Sequence, residues 1–391
     1  MKIALLAHSV LPRGGVVHTL ALADALLDLG HEVSVCLPVE PGQALFCRPR
    51  ARVLQLPVPA PPPGPLVEQV RHRIASIGTG LDAVLSREHF DLLHAQDSLN
   101  GNALADIADL ADRGMPLPPW VRTVHHLDDF DAPALRAWQE RAWQRASAVG
   151  CVSDLWCAHF GDVLGVPVER LRNGVDRARF QPTGPRPARG PYVLALGGVE
   201  RRKNTTRLLE AFAEARRRDP SWYDTTLVVA GGASLLDHSA ALGAWRDALA
   251  RLGLAEGEGE PVLRLGTLPH DDVPAWMRGA RLLAMPSLVE GFGLVALEAL
   301  ACGTPVLVSD RPPFTEHLAG CPRVAWCDPE NVSSIADGLI AAGRMPTTDA
   351  VPAVCRDHDW SRSARGHVAW YRRVLSGAAD PVAPAGHATC H

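Results

Sequence analysis

Short apolar runs alternate with amphipathic stretches, stop at a proline-rich break and then begin again. This pattern predicts an α/β protein of two Rossmann-like domains, each a parallel sheet covered on both faces. In the first block, residues 3–7, 32–37, 92–95, 121–125 and 148–152 read as buried strands rich in Val, Leu and Ile. Between the first two, Val16, Leu20, Ala23 and Leu27 recur at helical spacing, and Gly30 stands where a helix would stop. The alternation restarts at residues 192–196, 226–230, 262–265, 282–285 and 305–308. Leu208, Leu209, Phe212 and Ala215 form a helical stripe after the first of these. The break is 181–191, QPTGPRPARGP, which can form neither strand nor helix. A second proline-rich stretch, 57–65, reads as a surface loop inside the first block. The expected division is a first domain over 1–183, a second over 184–358, a helix over 359–376 and a disordered tail over 377–391. His387 and His391 in that tail read as frayed residues rather than metal ligands.

Composition narrows the function. A chain of 391 residues suits two or three domains at roughly 100–200 residues each. With 39 basic against 43 acidic residues it lacks the basic surplus of a nucleic-acid binder. No apolar run approaches the ~18 residues of a spanning helix, and MKIALLAHS reads as a first strand rather than a secretory leader. Nine cysteines with no CxxC spacing argue for free thiols and a cytoplasmic location. The basic residues are almost all Arg, Lys occurring only at Lys2 and Lys203. An internal Lys is therefore conspicuous.

Three segments carry candidate chemistry. The first strand runs into PRGGV, where Gly14 and Gly15 let backbone approach an anion at a helix N-terminus. The spacing is not GxGxxG, and Cys36, Leu37 and Pro38 stand where a dinucleotide fold needs a ribose-binding acid, so a nicotinamide enzyme is disfavoured. The second block opens with GGVERRKN, placing Arg201, Arg202 and Lys203 at the carboxyl edge of a parallel sheet, where open α/β folds bind ligands. The most specific segment is PSLVEGFGLVALEALACGTP. Its Gly291, Phe292, Gly293 and Leu294 offer amides suited to a diphosphate, and the carboxylates of Glu290 and Glu298 are suited to sugar and ribose hydroxyls. Both acids are expected to project toward the helix N-terminus. His125 ends a strand and is a catalytic-site candidate. The following His126 and DDFD, 128–131, read as loop and cap residues, with no metal site expected. GxSxG, GxxxxGK[ST] and HExxH are all absent, which disfavours serine hydrolases, P-loop ATPases and zincins.

Together these motifs resemble the retaining glycosyltransferases of family 4. The likeness runs from PRGGVVHTLALADAL through RTVHHLDDF, LRNGVDRARF and GVERRKN to EGFGLVALEALACGTPV. The Glu290/Glu298 pair is its specific element, and PRGGVVHTLALA with TVHHLDDF is similar to one bacterial subfamily. The resemblance implies the GT-B fold, with both sheets facing a deep interdomain cleft. It implies a hexosyltransferase that moves a sugar, with retention, from a nucleotide sugar, expected to be a UDP-sugar, to a hydroxyl acceptor. No metal or other cofactor is implied. By the same resemblance Gly15 would donate its amide to the donor diphosphate. Arg202 and Lys203 would neutralise that group as it departs, and Glu290 would hold hydroxyls of the transferred sugar. Glu298 would bind the ribose, His125 would stand beside the sugar, and the nucleobase would lie against the turn of Gly266 and Leu268. Many members carry Arg where this chain has Gly198, a charge that Arg202 is placed to supply. A nucleotide-sugar 2-epimerase, a glycosyl phosphorylase and a non-catalytic nucleotide-sugar-binding protein are the competing readings. No nucleic-acid partner is expected; weak membrane association stays open.

Overall fold

The protein is described from a computed structural model covering residues 1–110, 117–232 and 238–378. It divides into two compact units, one of Met1–Asn173 with Trp360–His391, the other of Gly174–Asp359. The boundary therefore lies ten residues before the expected one between 183 and 184. The break itself lies in the second unit, where Arg278 donates to the carbonyls of Pro185 (3.0 Å) and Gln181 (3.3 Å). A carbonyl-rich, proline-interrupted segment has few partners of its own, and a buried guanidinium supplies them. Of the expected tail, residues 379–391 lie outside the described residues.

The first unit runs β1 (Lys2–Leu6), α1 (Gly14–Asp28), β2 (Glu32–Val39), β3 (Arg52–Pro57), α2 (Leu66–Leu85), β4 (Leu92–Ala95), α3 (Ser98–Leu110), β5 (Trp120–Val124), α4 (Pro133–Gln144), β6 (Ala148–Cys151), α5 (Asp154–Ala158) and β7 (Val168–Arg170). Its strands form one parallel sheet in the order β3-β2-β1-β4-β5-β6-β7. Sequence periodicity missed β3 and β7. β3 buries only one of its six residues and β7 has three, so neither shows a buried apolar run.

The second unit runs β8 (Tyr192–Leu196), α6 (Thr205–Arg218), β9 (Thr226–Ala230), α7 (Ser239–Leu252), β10 (Val262–Leu265), α8 (Val273–Gly279), β11 (Leu282–Met285), α9 (Leu294–Ala301), β12 (Val306–Ser309), α10 (Phe314–His317), β13 (Val324–Cys327), α11 (Val332–Gly343) and α12 (Ala353–Asp357). Its parallel sheet has the order β10-β9-β8-β11-β12-β13. α13 (Trp360–Leu375) belongs to the first unit, where Ala364, Val368, Trp370 and Tyr371 join the core shared by β1, β2 and α1.

Both sheets reverse strand order once, between β1 and β4 and between β8 and β11. At such a switch point the following helices leave on opposite faces, so the loops beyond the strand ends part and leave an opening for ligand. No described helix is long and apolar enough to cross a membrane.

Candidate active site

In the second unit, the loops beyond β8 and β11 meet at the switch point. Asn204 adopts a left-handed backbone conformation (φ 60°) and its amide donates to the carbonyls of Pro286 (2.9 Å) and Pro329 (2.6 Å). The Leu288 amide donates to the Arg202 carbonyl at 2.9 Å. These bonds bring the GGVERRKN and PSLVEGFG segments side by side. Glycine is required here: Gly197 has φ +125°, and a Cβ on it would stand 3.0 Å from Cε of Lys203, whose stem lies over the backbone.

Lys203 Nζ is 2.6 Å from Glu290 Oε1, and Arg202 Nη1 is 3.4 Å from Glu290 Oε2. Ser287 donates its hydroxyl to the same carboxylate at 2.9 Å. Arg202 is also 3.6 Å from Glu200. Glu290 is buried, which opposes its ionisation. The charges of Lys203 and Arg202 and the bonds from Lys203 and Ser287 overcome this and hold its carboxyl down to about 2. The cations expected to serve a diphosphate and the acid expected to serve a sugar thus neutralise one another.

Glu298 does not share these partners. It sits half-buried in α9; burial pushes its carboxyl up to about 7, with Arg179 opposing and Asp176 adding to the rise. Arg179, within NGVDRARF, received no role from sequence, although a basic residue in that run was visible. Phe292 is buried and stacks on His317 with ring centroids 4.3 Å apart. Its ring therefore belongs to the packing, leaving Gly291, Phe292, Gly293 and Leu294 to offer backbone. Gly293 (φ +90°) caps α9, and a Cβ there would approach Phe314 to 2.4 Å. The exposed Gly266 and half-buried Leu268 follow β10, two strands from the switch point at the same sheet edge. Their turn adjoins the end of β9, where Gly231 donates to the Gly266 carbonyl at 3.1 Å.

In the first unit, Gly14 and Gly15 open α1, whose first turn contains no acidic residue. A Cβ on Gly14 would meet nothing within 4 Å, and one on Gly15 would reach 3.6 Å from His125 Cδ2. Anion access to this helix start is therefore unobstructed by side chains of the glycine pair. His125, just past β5, lies edge-on to His18 at 4.8 Å between centroids, and its Nε2 is 3.1 Å from Gln96 Oε1. Burial keeps this imidazole well below its ordinary range, assisted by His18, Arg122, His126 and His94. The DDFD loop is held by its own contacts: Asp128 exchanges backbone bonds with the Gln139 carboxamide at 2.9 and 3.0 Å, and His126 is 3.4 Å from the Asp128 carboxylate.

Sequence reasoning missed the polar residues around His125. His94 lies in β4 and Gln96 just past it in DLLHAQDS, where polar side chains at the end of an apolar strand were the available signal. Among the described residues, Cys36, Cys151, Cys302, Cys321, Cys327 and Cys355 are free thiols. Burial pushes Cys36, Cys302, Cys327 and Cys355 up to about 12, so none of these four is a poised nucleophile.

Comparison with known proteins agrees with this architecture. Residues 12–179 match the family model Glycosyltransferase Family 4, and residues 176–351 match Glycosyl transferases group 1. D-inositol 3-phosphate glycosyltransferase of Frankia alni is 34% identical over 232 residues, 55% of each chain. The protein spans about half the length of this and the next curated relatives it matches. Among solved structures, sucrose-phosphate synthase of Thermosynechococcus elongatus superposes with TM-score 0.75 at 19% identity, covering 96% of this chain and 100% of the other. Anabaena HepE in complex with UDP-glucose gives TM-score 0.69 at 20% identity, with coverage of 96% and 100%. At such identity the likeness establishes the fold, which is GT-B.

Proposed function

We propose that this chain, which belongs to the glycosyltransferases by both family matches, transfers a hexose from a nucleotide sugar to a hydroxyl acceptor. The observation that carries the reading is the pairing of the half-buried Lys203 and Arg202 with the buried carboxylate of Glu290 at the switch point of the second sheet. Two cations bound to one carboxylate form a site with two kinds of partner to offer. An arriving diphosphate takes Lys203 and Arg202, and the released Glu290 accepts hydrogen bonds from hydroxyls of the sugar. Neither charge is left alone in the interior during the exchange, which avoids the large cost of a buried unpaired ion.

The chemistry follows from where charge develops. As the glycosidic bond to phosphate breaks, negative charge grows on the leaving diphosphate. Fixed cations and amides stabilise it more than they stabilise the bound donor. Lys203, Arg202 and the backbone of Gly291–Leu294 serve this role in the second unit, and the Gly14–Gly15 helix start in the first. Glu298 holds the ribose, the turn of Gly266 and Leu268 receives the base, and neutral His125 contacts the sugar. Transfer proceeds by front-face attack with retention, a route that requires no side-chain nucleophile. The leaving phosphate oxygen then takes the acceptor's proton. The cations supply the charge that a metal would otherwise supply, so turnover in excess EDTA is expected to equal turnover without it. UDP is the expected nucleotide; the Anabaena neighbour binds UDP-glucose.

Incubation with a panel of nucleotide sugars and hydroxyl acceptors tests the reading. Acceptor-dependent release of nucleoside diphosphate, with the anomeric configuration retained by NMR, is the expected result. Interconversion of the donor without acceptor points to the epimerase, and phosphate-dependent release of sugar 1-phosphate points to the phosphorylase. Tight nucleotide binding without turnover on any pair points to a binding protein.

A further inference from the structure

Behind His125 lies a chain of buried polar groups within the first unit. Gln96, 3% exposed, places Oε1 at 3.1 Å from His125 Nε2 and its amide nitrogen at 3.1 Å from His94 Nε2. His94 Nε2 is also 2.7 Å from Thr123 Oγ1, and His94 Nδ1 is 2.6 Å from the Tyr371 hydroxyl. The chain thus runs from α13 through β4 to the edge of β5.

Donor and acceptor chemistry orders it. A carboxamide oxygen only accepts, so facing Oε1 the neutral His125 ring carries its proton on Nε2. The amide N–H of Gln96 is directed at His94 Nε2, which is then the bare nitrogen, its one lone pair shared between that N–H and the Thr123 hydroxyl. His94 Nδ1–H is left to donate to Tyr371. Turning the amide over would move the proton on both rings together. His18 from α1 lies edge-on to His125, and the other titratable groups that act on the ring are Arg122 from β5, His94 from β4 and the adjoining His126; none is an anion that would favour a second proton. A Cβ on Gly15 would stand 3.8 Å from His125 Nε2, so this N–H edge lies against the first turn of α1. A proton there is a hydrogen-bond donor for a ligand oxygen, and a lone pair there would repel one.

We propose that Gln96 is a positioning residue for sugar transfer, its carboxamide fixing His125 as the neutral tautomer protonated on Nε2. The role rests on the function proposed above, in which His125 contacts the sugar, but the tautomer does not. Nitrogen-15 labelling of the histidines in the full chain reads the ring directly, with His125→Phe used for assignment. A neutral ring protonated on Nε2 is expected from pH 8 to pH 6. Gln96→Met is expected to give a mixture of tautomers. Gln96→Glu, which adds an anion beside the ring, is expected to raise its protonation by about one pH unit or more. In transfer assays Gln96→Met should lower kcat about tenfold with donor KM changed less than about twofold, and Gln96→Glu should give kcat a pH dependence that the parent lacks. A parent ring protonated on Nδ1, a Gln96→Met ring indistinguishable from it, or a shifted tautomer with unchanged kcat would each overturn the proposal. Absence of turnover by the parent with every donor would instead count against the function. The ring spectra would still decide the tautomer.

Discussion

Two polar clusters, one in each unit, treat charge in opposite ways. The first holds His18, His94, His125 and His367 as uncharged rings: burial takes His18 to about 3 and His367 to about 4, with His94 and His125 far below their ordinary value. Their hydrogen bonds run to neutral partners such as Asn173, Gln96, Thr123 and Tyr371. The second holds Glu290 ionised against Lys203 and Arg202. A neutral lattice orients groups and has no charge to exchange. An ion cluster can trade one partner for another, and that suits it to a ligand whose charge changes during reaction.

The largest expected effect breaks the ion cluster. Lys203→Ala should slow turnover on the order of 10²–10³-fold, as loss of one transition-state donor does. Because the buried carboxylate of Glu290 loses its nearer cation but keeps Arg202 and Ser287, the substitution should also destabilise the fold, by less than the ~3–5 kcal/mol of a fully unpaired buried charge. Adding Glu290→Gln should return most of the stability and none of the turnover. Denaturant titration beside steady-state rates separates the two, and recovery of both together would contradict the assignment.

Acid should sharpen the contrast next. A histidine held below its unfolded value contributes its full stability above about pH 6.5 and loses it as pH falls toward the folded value. His18 and His367 should each weaken the first unit by up to about 1.4 kcal/mol per pH unit below 6.5. Glu290, held down to about 2, keeps its contribution until pH falls below its unfolded value near 4.5. Hydrogen exchange followed from pH 7 to pH 5 should therefore show the first unit losing protection before the second. The reverse order would undo the comparison.

The smallest effect concerns Glu298. Its carboxyl is raised to about 7, so its stability is full below the unfolded value near 4.5 and is lost as pH rises through 7. Glu298→Gln should raise Tm by about 2–4 °C at pH 8 and leave it unchanged at pH 4.5, while weakening nucleotide binding. A lowered Tm at pH 8 would mean the acid is retained for stability.

Much of this was legible in the residues themselves. The strands at the sheet centres stood out because both their faces are buried, as did Gly14–Gly15, GGVERRKN and EGFG at strand ends. What stayed hidden depended on tertiary pairing. Nothing local indicates that Lys203 and Glu290, 87 positions apart, meet at 2.6 Å. Nor does anything local place Tyr371 against His94. The two acids of the family motif were expected to act together, yet the charges that act on Glu298 are those of Arg179 and Asp176, whose segment precedes the second sheet in the chain. The unit boundary was misplaced for a related reason: proline-rich composition marks irregular backbone, and Arg278 fastens that backbone to its own unit.

The account turns on Lys203 reading the diphosphate rather than the nucleoside. Calorimetric titration of the parent and Lys203→Ala with UDP and with uridine separates these contributions. The predicted result is a loss of at least about tenfold in UDP affinity, with uridine binding unchanged. Equal losses for both ligands, or no loss for either, would contradict it.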